Sequence, residues 1–209
     1  MVSLHTKYPQ GSEKQLIKVI LNREVPAGGL PFEVGCLVDN VATALAVYEA
    51  AVYKKPLYER TITVCGDAIK ENANLVVRIG TRVCDLIEEC GPLTKNLGKV
   101  IFGGPMMGFS QYTTDVPIIK GTSGVIFLSQ EKVDKSKESV CIRCGKCIDA
   151  CPMKLVPTTL MHLVKQERSG EAEALGIVHC YECGSCAYEC PAKIPLLDYM
   201  KLGKSWIKF

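Results

Sequence analysis

Two short runs of the chain carry four cysteines at the same spacing. The first is "CIRCGKCIDACP", from Cys141 to Pro152, and the second is "CYECGSCAYECP", from Cys180 to Pro191. In each run the first three cysteines stand at every third position, and a proline directly follows the fourth. Cysteine thiolates at this spacing hold 4Fe-4S clusters in two-cluster proteins. The sequence therefore predicts two 4Fe-4S clusters.

The spacing also predicts how the cysteines are shared. A loop with a cysteine at every third position supplies three thiolates to one cluster, and in this pattern the fourth cysteine of each run binds the other cluster. Such an exchange brings the two loops together, so we expect the clusters to lie close enough to exchange electrons. The expected ligands are Cys141, Cys144, Cys147 and Cys190 for one cluster, and Cys180, Cys183, Cys186 and Cys151 for the other.

Two other uses of the cysteines compete with this prediction. Structural zinc sites usually combine two C-x2-C pairs across a longer spacer, and a thiol cluster without metal is the remaining alternative. The repeated three-plus-one run with its proline favours iron and sulfur over both. The remaining four cysteines are scattered upstream, and we expect Cys84 and Cys90 to pack in a core rather than bind metal.

Charged residues differ between the two runs. Arg143 and Lys146 lie inside the first, whereas Glu182 and Glu189 lie inside the second beside Tyr181. Positive neighbours raise the reduction potential of a cluster and negative neighbours lower it. We therefore expect two clusters of unequal potential.

The composition is that of an ordinary globular protein, with 47% hydrophobic and 22% charged residues in 209. No apolar stretch approaches the roughly 20 residues that cross a bilayer. The first residues lack the order of a secretory signal, so we expect a cytoplasmic location. Basic residues are interspersed with acidic ones, as in "QEKVDKSKES", and the formal net charge is only +3. These features argue against a nucleic-acid partner.

Three segments are predicted to position the cysteine runs. Residues 1–57 have helical periodicity in "SEKQLIKVILN" and "NVATALAVYEAAVY", with a buried strand in "EVGCLVDN" between them. Residues 58–129 contain two strands, a helix and a third strand, the order of a small β-grasp-like module, followed by returning strands. Residues 130–209 begin with a charged linker and form a mostly helical domain around the cysteines. The predicted fold class is thus a multidomain α+β protein.

The order of these parts closely resembles the C subunit of the Rnf electron transport complex. The resemblance rests on "YPQGSEKQLIKVIL", "GGLPFEVGCLVDNVATA", "GGPMMG" and the two cysteine runs, and it covers essentially all 209 residues. Members of that family are peripheral subunits on the cytoplasmic side of a membrane complex that couples electron flow between ferredoxin and NAD to sodium or proton movement. They are similar to the flavin subunit of respiratory complex I.

The resemblance implies a fold and a function. Residues 1–57 would be the C-terminal part of a Rossmann-like domain for FMN and nicotinamide, and the next segment a soluble-ligand-binding β-grasp module. The chain would pass electrons through its two clusters in an Rnf-type ferredoxin:NAD oxidoreductase. Its partners would be the other subunits of the membrane complex and a ferredoxin or flavoprotein. No catalytic residue is expected on this chain.

Four residues match places where relatives line the flavin pocket: Gly11, Glu13, Asn40 and Thr43. The alternative is structural, with Gly11 shaping a helix entry, Glu13 lying in a first helical turn, and Asn40 and Thr43 capping a helix. No Gly-rich phosphate loop precedes Tyr8. We therefore expect the C-terminal part of a longer protein, which binds FMN and NAD(H) only together with an upstream segment.

Two further functions fit the same parts. One is a reductase component that resembles the cobalamin reductase of propanediol microcompartments or the electron-feeding partner of a proline reductase. The other is an adaptor whose β-grasp module binds a ligand or partner while the clusters only stabilise the tail. The adaptor is the weaker alternative, since structural clusters have no need of a closely apposed pair.

Overall fold

The computed structural model describes residues 1–207. Its α-helices are α1 (Glu13–Leu21), α2 (Val41–Tyr53), α3 (Val83–Glu89), α4 (Lys146–Asp149), α5 (Pro157–Lys165), α6 (Ser169–Ala174), α7 (Ser185–Tyr188) and α8 (Leu196–Ser205). Its strands are β1 (Glu59–Cys65), β2 (Ala73–Arg78), β3 (Leu97–Phe102), β4 (Phe109–Gln111) and β5 (Gly124–Ser129).

The chain divides into two compact units. Residues 1–38 join the cysteine-rich tail from residue 136 onward, and residues 39–135 form the other unit. The grouping differs from the three predicted segments, because α2 belongs with the sheet and the first residues belong with the tail. The segments 1–57, 58–129 and 130–209 therefore stay a prediction about domains.

A mixed five-stranded sheet in the order β2-β1-β5-β3-β4 forms the centre of residues 39–135. Strands β1 and β5 run parallel, and the other neighbouring strands are antiparallel. Strand β1 alternates as its sequence predicts, since Ile62 and Val64 are buried while Thr61 and Thr63 are exposed. Helix α3 joins β2 to β3 and contributes Val83 and Leu86 to the core.

Asp67, just after β1, ties that strand to the end of β5. Its carboxylate accepts hydrogen bonds from the backbone N–H of Ser129 at 2.9 Å and from the Ser129 hydroxyl at 2.6 Å. Lys95 lies 3.4 Å from the same carboxylate. These donors favour the ionised form and lower the pKa of Asp67 to about 2.

The predicted strand in "EVGCLVDN" is wrong. The structure has a 3-10 turn at Pro31–Val34 and no regular element from residue 35 to residue 40. Gly35 adopts a φ of 70°, which interrupts an extended backbone, and Leu37 is 86% exposed. A three-residue apolar run with no neighbouring strand cannot form a ladder. Helices α1 and α2, by contrast, lie where the periodicity predicts them.

The tail repeats one local structure twice. Each cysteine run contains a one-turn helix, α4 or α7, and is followed by a longer helix, α5 or α8. These longer helices pack on one another and share a core that includes Leu160, Val164, Leu196 and Met200. Both cysteine runs are therefore anchored to one hydrophobic core.

Gly66, directly after β1, lies very close to the backbone of β5. Its φ is 137°, and a Cβ added there would lie 2.0 Å from the backbone oxygen of Phe127. We predict that Gly66→Ala lowers the free energy of unfolding by about 2 kcal/mol or more, because backbone must move to relieve the overlap. Urea unfolding followed by circular dichroism measures the change.

Gly121→Ala is the matched control, since no atom lies within 4 Å of its added Cβ. Equal stability of the two variants would contradict the close approach of Gly66 to β5.

Candidate metal centres

The eight cysteines of the two runs surround two separate cavities. The first is an open cavity of about 870 Å³, and the second is smaller. Cysteines of the first cavity are Cys141, Cys144, Cys147 and Cys190. Those of the second are Cys151, Cys180, Cys183 and Cys186. The structure thus brings together the two sets expected from crosswise sharing, while the ligand roles themselves remain predictions.

Backbone conformation in the two loops is the same. Gly145 and Gly184 have φ values of 81° and 80°, which turn the chain directly into α4 and α7. The N–H of Arg143 lies 3.4 Å from the sulfur of Cys141, and the N–H of Glu182 lies 3.4 Å from the sulfur of Cys180. Such N–H groups stabilise charge on a ligand sulfur.

The proline after each fourth cysteine lines the same cavity as that cysteine. Pro191 lines the first cavity with Cys190, and Pro152 lines the second with Cys151. Each fourth cysteine follows the one-turn helix of its own run and reaches the cavity of the other run. The one-turn helices therefore carry the chain from one cavity to the other.

Burial raises the pKa of several of these thiols. The pKa of Cys186 rises to about 12, first because burial disfavours the thiolate and then because Cys180 and Cys183 lie near. Burial likewise raises the pKa of Cys147 and Cys180. A metal that binds these sulfurs must displace their protons.

The donor set suits iron and sulfur. Four soft sulfur donors line each cavity, which is the set that 4Fe-4S clusters require. Within residues 1–207 no three His, Cys, Asp or Glu side chains are grouped closely enough to hold a single metal ion. We conclude that the residues present fit two clusters.

The two loops differ in exposure although their sequences repeat. In the first loop Ile142, Arg143 and Cys144 are exposed. In the second, Cys183 is 9% exposed and Gly184 is buried. The first cavity therefore opens toward solvent, and the second loop is covered.

Two residues cover the second loop. The Tyr8 hydroxyl donates a hydrogen bond to the backbone oxygen of Cys183 at 2.5 Å. The Lys204 ammonium donates to the backbone oxygen of Cys180 at 3.1 Å and pairs with Glu182 at 2.5 Å. Burial, and then the nearby Cys183, raises the pKa of Tyr8.

Neither Tyr8 nor Lys204 is predicted as a site residue from the sequence. For Lys204 a signal exists, because Lys165 and Lys204 occupy the same position in the two repeats. For Tyr8 the sequence holds no such signal, since its partner lies 175 residues away along the chain.

The four candidate flavin residues are all exposed. Gly11 lies in the turn before α1, and Glu13 is the first residue of that helix. The Asn40 side chain accepts a hydrogen bond from the N–H of Ala42 at 2.9 Å and so caps α2, in whose first turn Thr43 lies. The capping role of Asn40 is thus observed, and a flavin role for the four stays a prediction.

Of the two upstream cysteines expected to pack in a core, Cys90 lies in one and Cys84 is only partly buried. Cys90 is 2% exposed in the core of the sheet unit, as expected. Burial also raises the pKa of its thiol. Cys84 is partly buried, with its sulfur 3.5 Å from a carboxylate oxygen of Asp85.

Three family models match different parts of the chain. Residues 1–49 match the Nuo51 FMN-binding domain, residues 61–110 match the SLBB domain, and residues 140–194 match the 4Fe-4S dicluster domain. The last match confirms the prediction of two 4Fe-4S clusters. The mixed α/β architecture with SLBB and dicluster domains confirms the coarse fold class.

Three curated relatives align with most of this sequence, and each is the C subunit of its complex. The chain is 50% identical over 173 residues to that of the proton-translocating ferredoxin:NAD(+) oxidoreductase complex of Clostridium ljungdahlii, covering 83% of this chain and 38% of the relative. It is 49% identical over 158 residues to the Na(+)-translocating counterpart of Acetobacterium woodii, covering 76% and 36%. It is 42% identical over 200 residues to the C subunit of the ion-translocating oxidoreductase complex of Rhodobacter capsulatus. The match covers 96% of this chain and 38% of the relative.

The chain belongs to the family of Rnf C subunits. It spans less than half the length of the family members it matches. Within residues 1–207 none of its helices is long and apolar enough to cross a membrane.

Crosswise sharing predicts which cysteines lose protection when one ligand is removed. In Cys190→Ala we expect Cys141, Cys144 and Cys147 to react with an alkylating reagent under anaerobic conditions, because their cluster lacks its fourth thiolate. The cysteines of the second loop should stay protected. Mass spectrometry of the alkylated peptides makes the measurement.

Cys84→Ala is the control, since it removes a thiol outside both sets. Exposure of Cys180, Cys183 and Cys186 in the Cys190→Ala variant would show instead that each run closes its own cluster.

Proposed function

We propose that this chain transfers electrons through two 4Fe-4S clusters within an Rnf-type ferredoxin:NAD oxidoreductase. The observation that carries the proposal is the grouping of the eight cysteines into two crosswise sets around two cavities. Clusters serve to take up and release electrons at potentials that the surrounding protein sets. The family match supports the same role.

The chain's own residues hold the two clusters, shield their ligand sulfurs from water and keep the two sites on one core. Cysteine thiolates bind the iron, and the packed helices α5 and α8 keep both loops on one core. Cys147 and Cys190 are 7% and 8% exposed, so water is largely kept from these sulfurs. A shared core limits how far the two sites can move apart, which favours electron transfer between them.

The open first loop is the proposed place of exchange with a ferredoxin or flavoprotein. Val140 and Ile142 are 87% and 67% exposed there, beside the exposed Cys144. Arg143 and Lys146 are exposed, and within residues 1–207 neither has a carboxylate partner. An apolar centre with unpaired positive charge suits an acidic redox partner.

The first residues are the proposed link to a flavin. Residues 1–49 match an FMN-binding domain, and Tyr8 in that stretch contacts the second loop. We place the second cluster on the flavin side and the first on the partner side. Gly11, Glu13, Asn40 and Thr43 would line the flavin pocket together with further parts of the FMN domain, which would bind FMN and NAD(H).

We also propose that the five-stranded sheet unit contains a β-grasp module and that the first residues form part of a Rossmann-like domain. Parallel pairing of β1 with β5 inside an otherwise antiparallel sheet, with α3 before β3, supports a β-grasp module. The N-terminal helices and the FMN-domain match support part of a Rossmann-like domain. The protein would associate peripherally with the cytoplasmic face of a membrane complex, whose other subunits would move the ion.

The function is tested first by cofactor content. Anaerobically prepared full-length chain is expected to contain about eight iron atoms and about eight acid-labile sulfides, four of each per cluster. Its visible absorption should bleach with dithionite and recover on reoxidation. Zinc in place of iron, or absorption that does not change reversibly, would contradict an electron-carrying role.

The exchange surface is tested by charge reversal. In the double variant Arg143→Glu/Lys146→Glu we expect the rate of reduction by a reduced acidic ferredoxin to fall about tenfold at low ionic strength, because attraction becomes repulsion. Stopped-flow absorption measures the rate, and the difference should shrink at high salt.

Lys120→Glu, an exposed residue of the sheet unit, is the control. Iron content must be unchanged in all variants. Equal rates for the double variant and the control would rule out the first loop as the docking surface.

A further inference from the structure

One position in the repeated loop carries opposite charges in its two copies. Arg143 in the first loop and Glu182 in the second have φ values of 55° and 58°. Their N–H groups lie at the same 3.4 Å distance from the sulfurs of Cys141 and Cys180. The two side chains therefore begin at equivalent points beside the two sites, one positive and one negative.

A lysine of the following helix is repeated as well, but its partners differ. Lys204 of α8 lies 2.5 Å from the carboxylate of Glu182 and 3.1 Å from the backbone oxygen of Cys180. Lys165 of α5 lies 3.3 Å from Glu138 and 4.8 Å from the centre of the Tyr199 ring. An arginine at position 143 offers no carboxylate, so the first lysine takes partners outside its loop.

The Lys204–Glu182 pair is less exposed to solvent than the equivalent lysine pair of the first repeat, so its charges act more strongly on their surroundings. The Lys204 and Glu182 side chains are 23% and 32% exposed, compared with 41% and 40% for Lys165 and Glu138. Water and salt screen the more buried pair less. Among the charged residues of the second run, Glu189 is exposed and Glu182 is held against Lys204.

We propose that Lys204 is a positioning residue that offsets the negative charge of Glu182 and raises the reduction potential of the second cluster. The proposal rests on the proposed function, since it requires both clusters to be present. It also revises the expectation from sequence. Glu182 by itself would depress this potential, whereas the pair leaves the loop close to neutral at that position.

The central test compares the two repeated lysines. Lys204→Met removes the countercharge and leaves Glu182 in place. We expect the reduced fraction of the second cluster, at a fixed ambient potential, to fall several-fold while the first cluster is unchanged. Lys165→Met is the matched control, and it should leave the second cluster as in the parent protein. Redox titration followed by EPR gives both potentials, and the Cys190→Ala variant, which lacks the complete first site, assigns the signals.

Removal of the Glu182 carboxylate should shift the reduction potential of the second cluster in the opposite direction. In Glu182→Gln the reduced fraction of the second cluster should rise several-fold, and in Glu182→Gln/Lys204→Met it should return near that of the parent. Lys204→Arg should retain the parent potential, because the positive charge is kept. A merely structural role for Lys204 would not produce shifts of opposite sign that cancel.

The outcomes separate this inference from the proposed function. If the parent chain lacks two clusters, the proposed function fails. If both clusters are present and Lys204→Met leaves the second potential unchanged, only the role of Lys204 fails. If Lys204→Met does not assemble its clusters, Glu182→Gln decides, and an unchanged or lowered potential in that variant overturns the proposal.

Discussion

The exchange of fourth cysteines between the two loops is the constraint on which the tail depends. Cys151 and Cys190 each leave one loop and enter the cavity of the other. Under the crosswise ligation that we propose, neither site is completed by its own run, and the two loops must fold together. The core shared by α5 and α8 meets this demand, because it holds both runs on one hydrophobic layer.

Repetition in sequence does not give repetition in environment. The loops share cysteine spacing, left-handed glycines and N–H contacts to sulfur. They differ in what covers them, since Tyr8 and Lys204 lie on the second loop and the first is open. An enclosed site suits transfer inside the protein, and an open one suits exchange with a partner. This difference is the basis of the separate roles that we propose for the two sites.

Local patterns predict the elements and the cysteine sets, whereas contacts between distant segments are not predictable from them. Alternation in β1 and periodicity in α1 and α2 depend on neighbouring residues, and these elements lie where expected. The strand predicted around Cys36 does not form, because a strand also needs a partner and the local sequence does not report one. The contact of Tyr8 with Cys183 depends on the packing of the first residues against the tail.

Crosswise ligation is tested most directly by diffraction at the iron absorption edge from anaerobically grown crystals of the full chain. The exchange of fourth cysteines predicts anomalous density for two groups of four iron atoms. One group should be bonded to Cys190 together with cysteines of the first loop, and the other to Cys151 together with cysteines of the second. Density that joins Cys151 to the first loop and Cys190 to the second, or a single metal ion at either site, would contradict it.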